Sequence, residues 1–128
     1  MADEAVGVRI GVIDTGVSFK AVNPDSVSDG KNYIFPQEST EDKIGHGTAV
    51  SAIIAGSEPA RIEGICPTAV IVPLVCITTD NEDKIINGDT SLTAKAIYDA
   101  VDKFGCKIIN ISPMLYCLLM RLKDKIRK

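Results

Sequence analysis

The chain has 128 residues, 45% of them hydrophobic and 24% charged, which is enough apolar material for one compact domain and too little length for two. That balance excludes disorder, collagen-like repeats and a mucin-like stalk. Fourteen basic residues against seventeen acidic ones leave a net charge of −3, so no overall basic field recruits nucleic acid.

Met1 to Arg9 opens on acidic residues and lacks the basic-then-apolar pattern of a signal peptide, so a cytoplasmic location is expected. Val8 to Ile13 (VRIGVI) is a short β-branched run closed by Asp14, Thr15 and Gly16, the pattern of a buried strand entering a sharp turn. Val17 to Lys31, with Pro24, Gly30 and several Ser and Asp residues, reads as loop, and Asn32 to Phe35 as a brief strand. In His46 to Gly56 (HGTAVSAIIAG), Val50, Ile53 and Ile54 recur at helical spacing among small residues, and Gly56 is a natural stop.

Ala69 to Ile77 (AVIVPLVCI) predicts a second buried strand, although Pro73 removes a ladder donor. Thr78 to Asp89 reads as an acidic loop that lacks the spacing of an EF-hand. Asp89 or Thr90 then caps a helix running to Phe104, with Leu92, Ala96, Ile97, Ala100, Val101 and Phe104 on one face. Lys107 to Ser112 (KIINIS) predicts a third buried strand with Asn110 inside the core. Strand–helix–strand order implies parallel crossovers and an α/β fold.

The longest apolar run, Met114 to Met120, falls well short of the ~20 residues that span a bilayer, so no membrane span is expected. Beyond it, Arg121, Lys123, Lys125, Arg127 and Lys128 face one acid, Asp124, in a basic end. Cys66, Cys76, Cys106 and Cys117 form no CxxC pair and sit in apolar runs, the usage of free thiols in a reducing compartment. With one histidine, no structural zinc site, metal or cofactor is expected.

An aspartate at the carboxyl end of a parallel strand lies where catalytic groups collect in open α/β sheets, and Asp14 is placed so. His46, at the opening of a helix, meets the positive end of the dipole, which disfavours the imidazolium and keeps a neutral base available. A carboxylate on one ring nitrogen fixes the tautomer and stabilises the imidazole once protonated, so Asp14 and His46 make a sensible pair. Taken singly, each has a blander role: Asp14 as a turn cap, His46 as a half-buried residue at a helix start.

Taken together, VIDTG, GHGTAVSAIIAG, GICPTA and KIINIS resemble, in that order, the subtilisin-like serine proteases (the S8 peptidases), over Val8 to Ser112. The resemblance implies a partial three-layer fold, a parallel sheet flanked by helices over residues 1–112, followed by a divergent tail over 113–128. It implies serine endopeptidase chemistry on a peptide or protein substrate, with Asp14 and His46 catalytic and Ser112 lining the substrate. Ala49 replaces the second histidine of the family's usual helix motif, and Pro113 follows Ser112 where the family continues Leu-Gly. Nothing in the chain matches the family's nucleophile motif or its oxyanion asparagine. Ser51, Ser91 and Ser112 have better structural readings than as stand-in nucleophiles. The resemblance therefore implies a domain truncated before its serine and inactive alone.

Two alternatives stand beside that reading. One is a non-catalytic relic, or half of a split protein that binds a complementary chain or itself through the uncovered edge of the last strand. The other is a dimeric aspartic protease of retroviral type, which uses the same Asp-Thr-Gly turn.

Overall fold

The computed structural model describes residues 7–112; the tail expected over 113–128, with Cys117, lies outside them. Four strands form one sheet in the order β2-β3-β1-β6. They are β1 (Arg9–Asp14), β2 (Lys31–Asn32), β3 (Val70–Val75) and β6 (Ile108–Ile111). Every pairing in it is parallel, as strands joined through helices require. The register sets Asp14 beside Val75 and Ile13 beside Ile111.

Alternation along the strands feeds two cores. Ile10, Val12 and Ile71 pack with Ala52 and Ala55 of helix α1 (His46–Ala55), while Ile13, Val72 and Leu74 pack with Ala96 and Ala100 of helix α2 (Thr90–Asp102). The sheet thus has α1 on one face and α2 on the other, the three-layer arrangement expected. Ile13, Ile71, Val72 and Leu74 are fully buried, and at about 1.5–3 kcal/mol per such side chain these two interfaces dominate the fold. Asp89 caps α2 by accepting from the Leu92 amide.

Pro73 does sit in the interior strand β3. The Ser28 amide bonds the Ile71 carbonyl and the Tyr33 amide bonds the Val75 carbonyl, so odd-numbered positions of β3 turn their backbone groups toward β2. The missing donor of Pro73 falls in the gap between those two bonds, where Gly30 crosses so closely that a Cβ there would overlap the Pro73 carbonyl. The proline is tolerated because the two bonds that tie β3 to this side are made by the Ile71 and Val75 carbonyls and need no donor from residue 73.

Three expectations are corrected. The segment read as an acidic loop over Thr78 to Asp89 contains most of an antiparallel hairpin, β4 (Ile77–Thr79) with β5 (Ile85–Asn87). The strand expected over Asn32 to Phe35 is shifted and shortened to Lys31–Asn32, because the Asn32 side chain accepts from the amides of Ile34 and Phe35 and turns the chain. The last strand, expected to be buried, is the edge strand β6 with Ile108 and Ile111 exposed, and Asn110 in it is only half-buried, its amide donating to Ser112. Among the described residues, no helix is long and apolar enough to cross a membrane.

Candidate active site

Asp14 is the last residue of β1 and is 0% exposed. A buried carboxylate is costly unless several donors meet it, and three do. The Thr15 amide donates to Oδ1 at 2.8 Å, the Ser112 hydroxyl donates to Oδ2 at 2.8 Å, and His46 Nδ1 lies 2.9 Å from both oxygens. The neighbouring strands make this possible: β6 pairs with β1 and delivers Ser112 just past its own end.

His46 is the first residue of α1, with 32% of its side chain exposed. The helix start is pressed against the turn after β1. The Gly47 amide donates to Thr15 Oγ1 at 2.8 Å, and a Cβ on Gly47 would lie well under 3.0 Å from the Gly16 carbonyl oxygen. Only glycine permits that approach. It brings the imidazole to the carboxylate across 32 residues of chain. With Nδ1 as the donor to Asp14, Nε2 is the nitrogen positioned to accept a proton.

The structure brings Asp14, His46 and Ser112 into one hydrogen-bonded group. Ser112, expected to line substrate, places its hydroxyl on Asp14 and so also fixes the carboxylate. Two residues of the site lie outside the sequence reading. One is Thr15, which ties Gly47 to the Asp-Thr-Gly turn. The other is Asp42, whose carboxylate accepts from the amides of Ile44, Gly45 and Thr48 and from the Thr48 hydroxyl. A signal for Asp42 existed: Gly45 caps α1 without a side chain, so the exposed helix amides need an acceptor from nearby. Burial pushes the Asp42 carboxyl up, but the Thr48 hydroxyl and the amides of Gly45, Ile44 and Thr48 outweigh it and hold it below the ordinary carboxylate value.

Ser51, Ser91 and Cys76 serve the fold. Ser51 is buried in α1, and Ser91 donates to Asp89 at the start of α2. Cys76 is buried, and burial pushes its thiol up to about 12.

Comparison with known proteins fits this geometry. Residues 5–113 match Peptidase_S8, the subtilase family. Mycosin-4 of Mycobacterium tuberculosis is 36% identical over 114 residues, covering 83% of this chain and 25% of that protein. Subtilisin BL of Lederbergia lenta is 31% identical over 81 residues, 62% of this chain and 29% of its own length. Among solved structures, the S41 psychrophilic protease superposes with a TM-score of 0.67 at 26% identity, covering 84% of this chain and 37% of that one. MycP1 with its N-terminal propeptide removed gives 0.65 at 26% identity, covering 87% and 34%. The chain thus spans about a quarter of the length of those two curated relatives.

Proposed function

Because the chain belongs to the subtilase family, we propose that it supplies the aspartate and histidine of a serine-type endopeptidase centre acting on peptide or protein substrates. The observation that carries this reading is His46 Nδ1 seated on the buried, three-donor carboxylate of Asp14. In this scheme Asp14 holds the tautomer and stabilises the imidazolium. His46 takes the proton of an attacking serine hydroxyl and returns it to the leaving amine. Ser112 steadies Asp14 and borders the substrate.

The nucleophile comes from outside these 128 residues. Ser112 is committed to Asp14, Ser91 to Asp89, and Ser51 is closed to substrate. A serine-bearing segment outside these 128 residues, in the same polypeptide or in a complementary chain, is what this implies. The half-exposed Ile108 and Ile111 of β6 support the sheet edge as its seat. The aspartic-type alternative lacks support, since Asp14 pairs with an imidazole rather than a second carboxylate. The buried free thiols Cys76 and Cys106 favour a reducing, cytoplasmic setting.

The test is incubation of the 128-residue chain with casein and a fluorophosphonate probe. Neither cleavage nor serine labelling is expected from the chain alone. Mixed with a serine-bearing subtilase fragment, it should promote labelling of that fragment's serine, and His46→Ala should not. Labelling of a serine within this chain, lost in His46→Ala, would overturn the proposal.

A further inference from the structure

Asp42 belongs to none of the three groups that meet at Asp14, yet it holds the backbone on which His46 stands. One carboxylate oxygen accepts from the amides of Ile44 at 2.9 Å and Gly45 at 2.8 Å. The other accepts from the Thr48 amide at 3.0 Å and the Thr48 hydroxyl at 2.6 Å. His46 lies between the two sets. The Thr48 oxygen in turn accepts from the Ser18 amide at 2.9 Å, in the segment that follows the Asp-Thr-Gly turn.

The same turn is gripped from the other side, because the Val17 amide donates to the Thr40 carbonyl, two residues before Asp42. The amide before His46 is therefore fixed by Asp42, and the amide after it by Thr15. Gly45 needs such fixing, as it carries φ +112° and caps the helix with no side chain of its own.

We propose that Asp42 is a positioning residue for His46, clamping the first turn of α1 to the turn after β1 so that the imidazole Nδ1 stays on Asp14. This rests on the Asp14–His46 pair proposed above. The clamp is ionic in character: a carboxylate offers acceptor sites on both oxygens for all four donors, whereas an amide at the same place keeps one such oxygen and turns a donor toward Thr48. Asp42→Asn should weaken the clamp and Asp42→Ala remove it. Thr48→Val, which deletes the hydroxyl bond and the link to Ser18, should act in the same direction.

The readout is the exchange rate of the His46 Nδ1 proton with water, followed by proton NMR on the full chain, where a single histidine removes ambiguity. Asp42→Ala is expected to speed exchange by about tenfold or more, with Asp42→Asn intermediate. Ala49→Gly serves as the control, since it weakens α1 on its exposed side without touching the clamp and should leave the rate within about twofold. If Asp42→Ala does not fold, Asp42→Asn and Thr48→Val decide alone. An unchanged rate in the folded Asp42 variants, or an equal rise in Ala49→Gly, overturns the proposal. Asp14→Asn separates the two levels of argument. If the slowly exchanging proton survives that change, the Asp14–His46 pair fails; if it is lost there but unchanged in the Asp42 variants, only the clamp fails.

Discussion

Gly47→Ala is the most informative single change to the scaffold, because two effects of opposite sign meet at one position. In an open helix interior the substitution is stabilising by about 1 kcal/mol, since alanine loses less backbone entropy. At Gly47 the added Cβ would sit well under 3.0 Å from the Gly16 carbonyl oxygen, 3.0 Å from its nitrogen and 3.1 Å from Thr15 Oγ1. All but the last are backbone atoms in the turn that follows β1, so no flexible side chain can swing aside. Forcing α1 away from that turn costs about 1–3 kcal/mol of overpacking, and losing the Gly47–Thr15 hydrogen bond adds about 1 kcal/mol. The net is a destabilisation of about 2 kcal/mol, a fall in Tm of roughly 8 °C for a domain of this size. Thermal melts followed by circular dichroism, with Ala49→Gly as the propensity-only reference, provide the measurement. A Gly47→Ala chain as stable as wild type, or more so, would refute the close approach that brings His46 to Asp14.

Ser51 buries a hydroxyl that has no hydrogen-bond partner among the described residues, so Ser51→Ala should raise stability by about 1 kcal/mol in denaturant melts; a loss of that size would reveal a partner for the hydroxyl. The Asp42 carboxyl lies below its ordinary 3.8 when folded, so its contribution is complete above that value and is lost as pH falls through the lower folded value. The stability advantage of wild type over Asp42→Asn should accordingly be constant near neutrality and shrink below pH 3.8, and an advantage that grows on acidification contradicts the assignment. Cys76, buried with its thiol pushed up to about 12, should be alkylated by iodoacetamide at least ~100-fold more slowly than the half-buried Cys66, as read by peptide mass spectrometry; comparable rates would mean that β3 and α2 open together.

The central strands and α2 were legible from a repeating apolar pattern with a chemical stop, whereas α1 was placed correctly but buries Gly47, Ser51, Ala52 and Ala55, leaving Ile53 of the expected apolar stripe exposed. Val8 to Ile13 ends at Asp14, and α2 begins at its Asp89 cap. The hairpin was not legible, for β5 is largely exposed and its short strands flank an acidic turn that composition assigns to loop. Pro73 argued against an interior strand because the rule concerns a donor, and sequence does not reveal which neighbour that donor would face. The Asp14–His46 pair was reachable from its motifs, but the proximity itself depends on Gly47 meeting Gly16, a tertiary contact without periodicity. Asp42 escaped notice because an acidic residue in a polar loop looks like any other until the uncapped helix start beside it is known.

The Asp14–His46 pair turns on one proton, the one between the two side chains. Nitrogen-15 labelling of the full chain, with long-range correlation from the ring protons of the single histidine, reports which ring nitrogen carries it in the neutral imidazole. Protonation at Nδ1 with Nε2 as the acceptor is expected in wild type, and loss of that preference in Asp14→Asn. A neutral imidazole protonated at Nε2, or a tautomer indifferent to Asp14→Asn, would contradict the central claim that this chain carries a working aspartate–histidine pair.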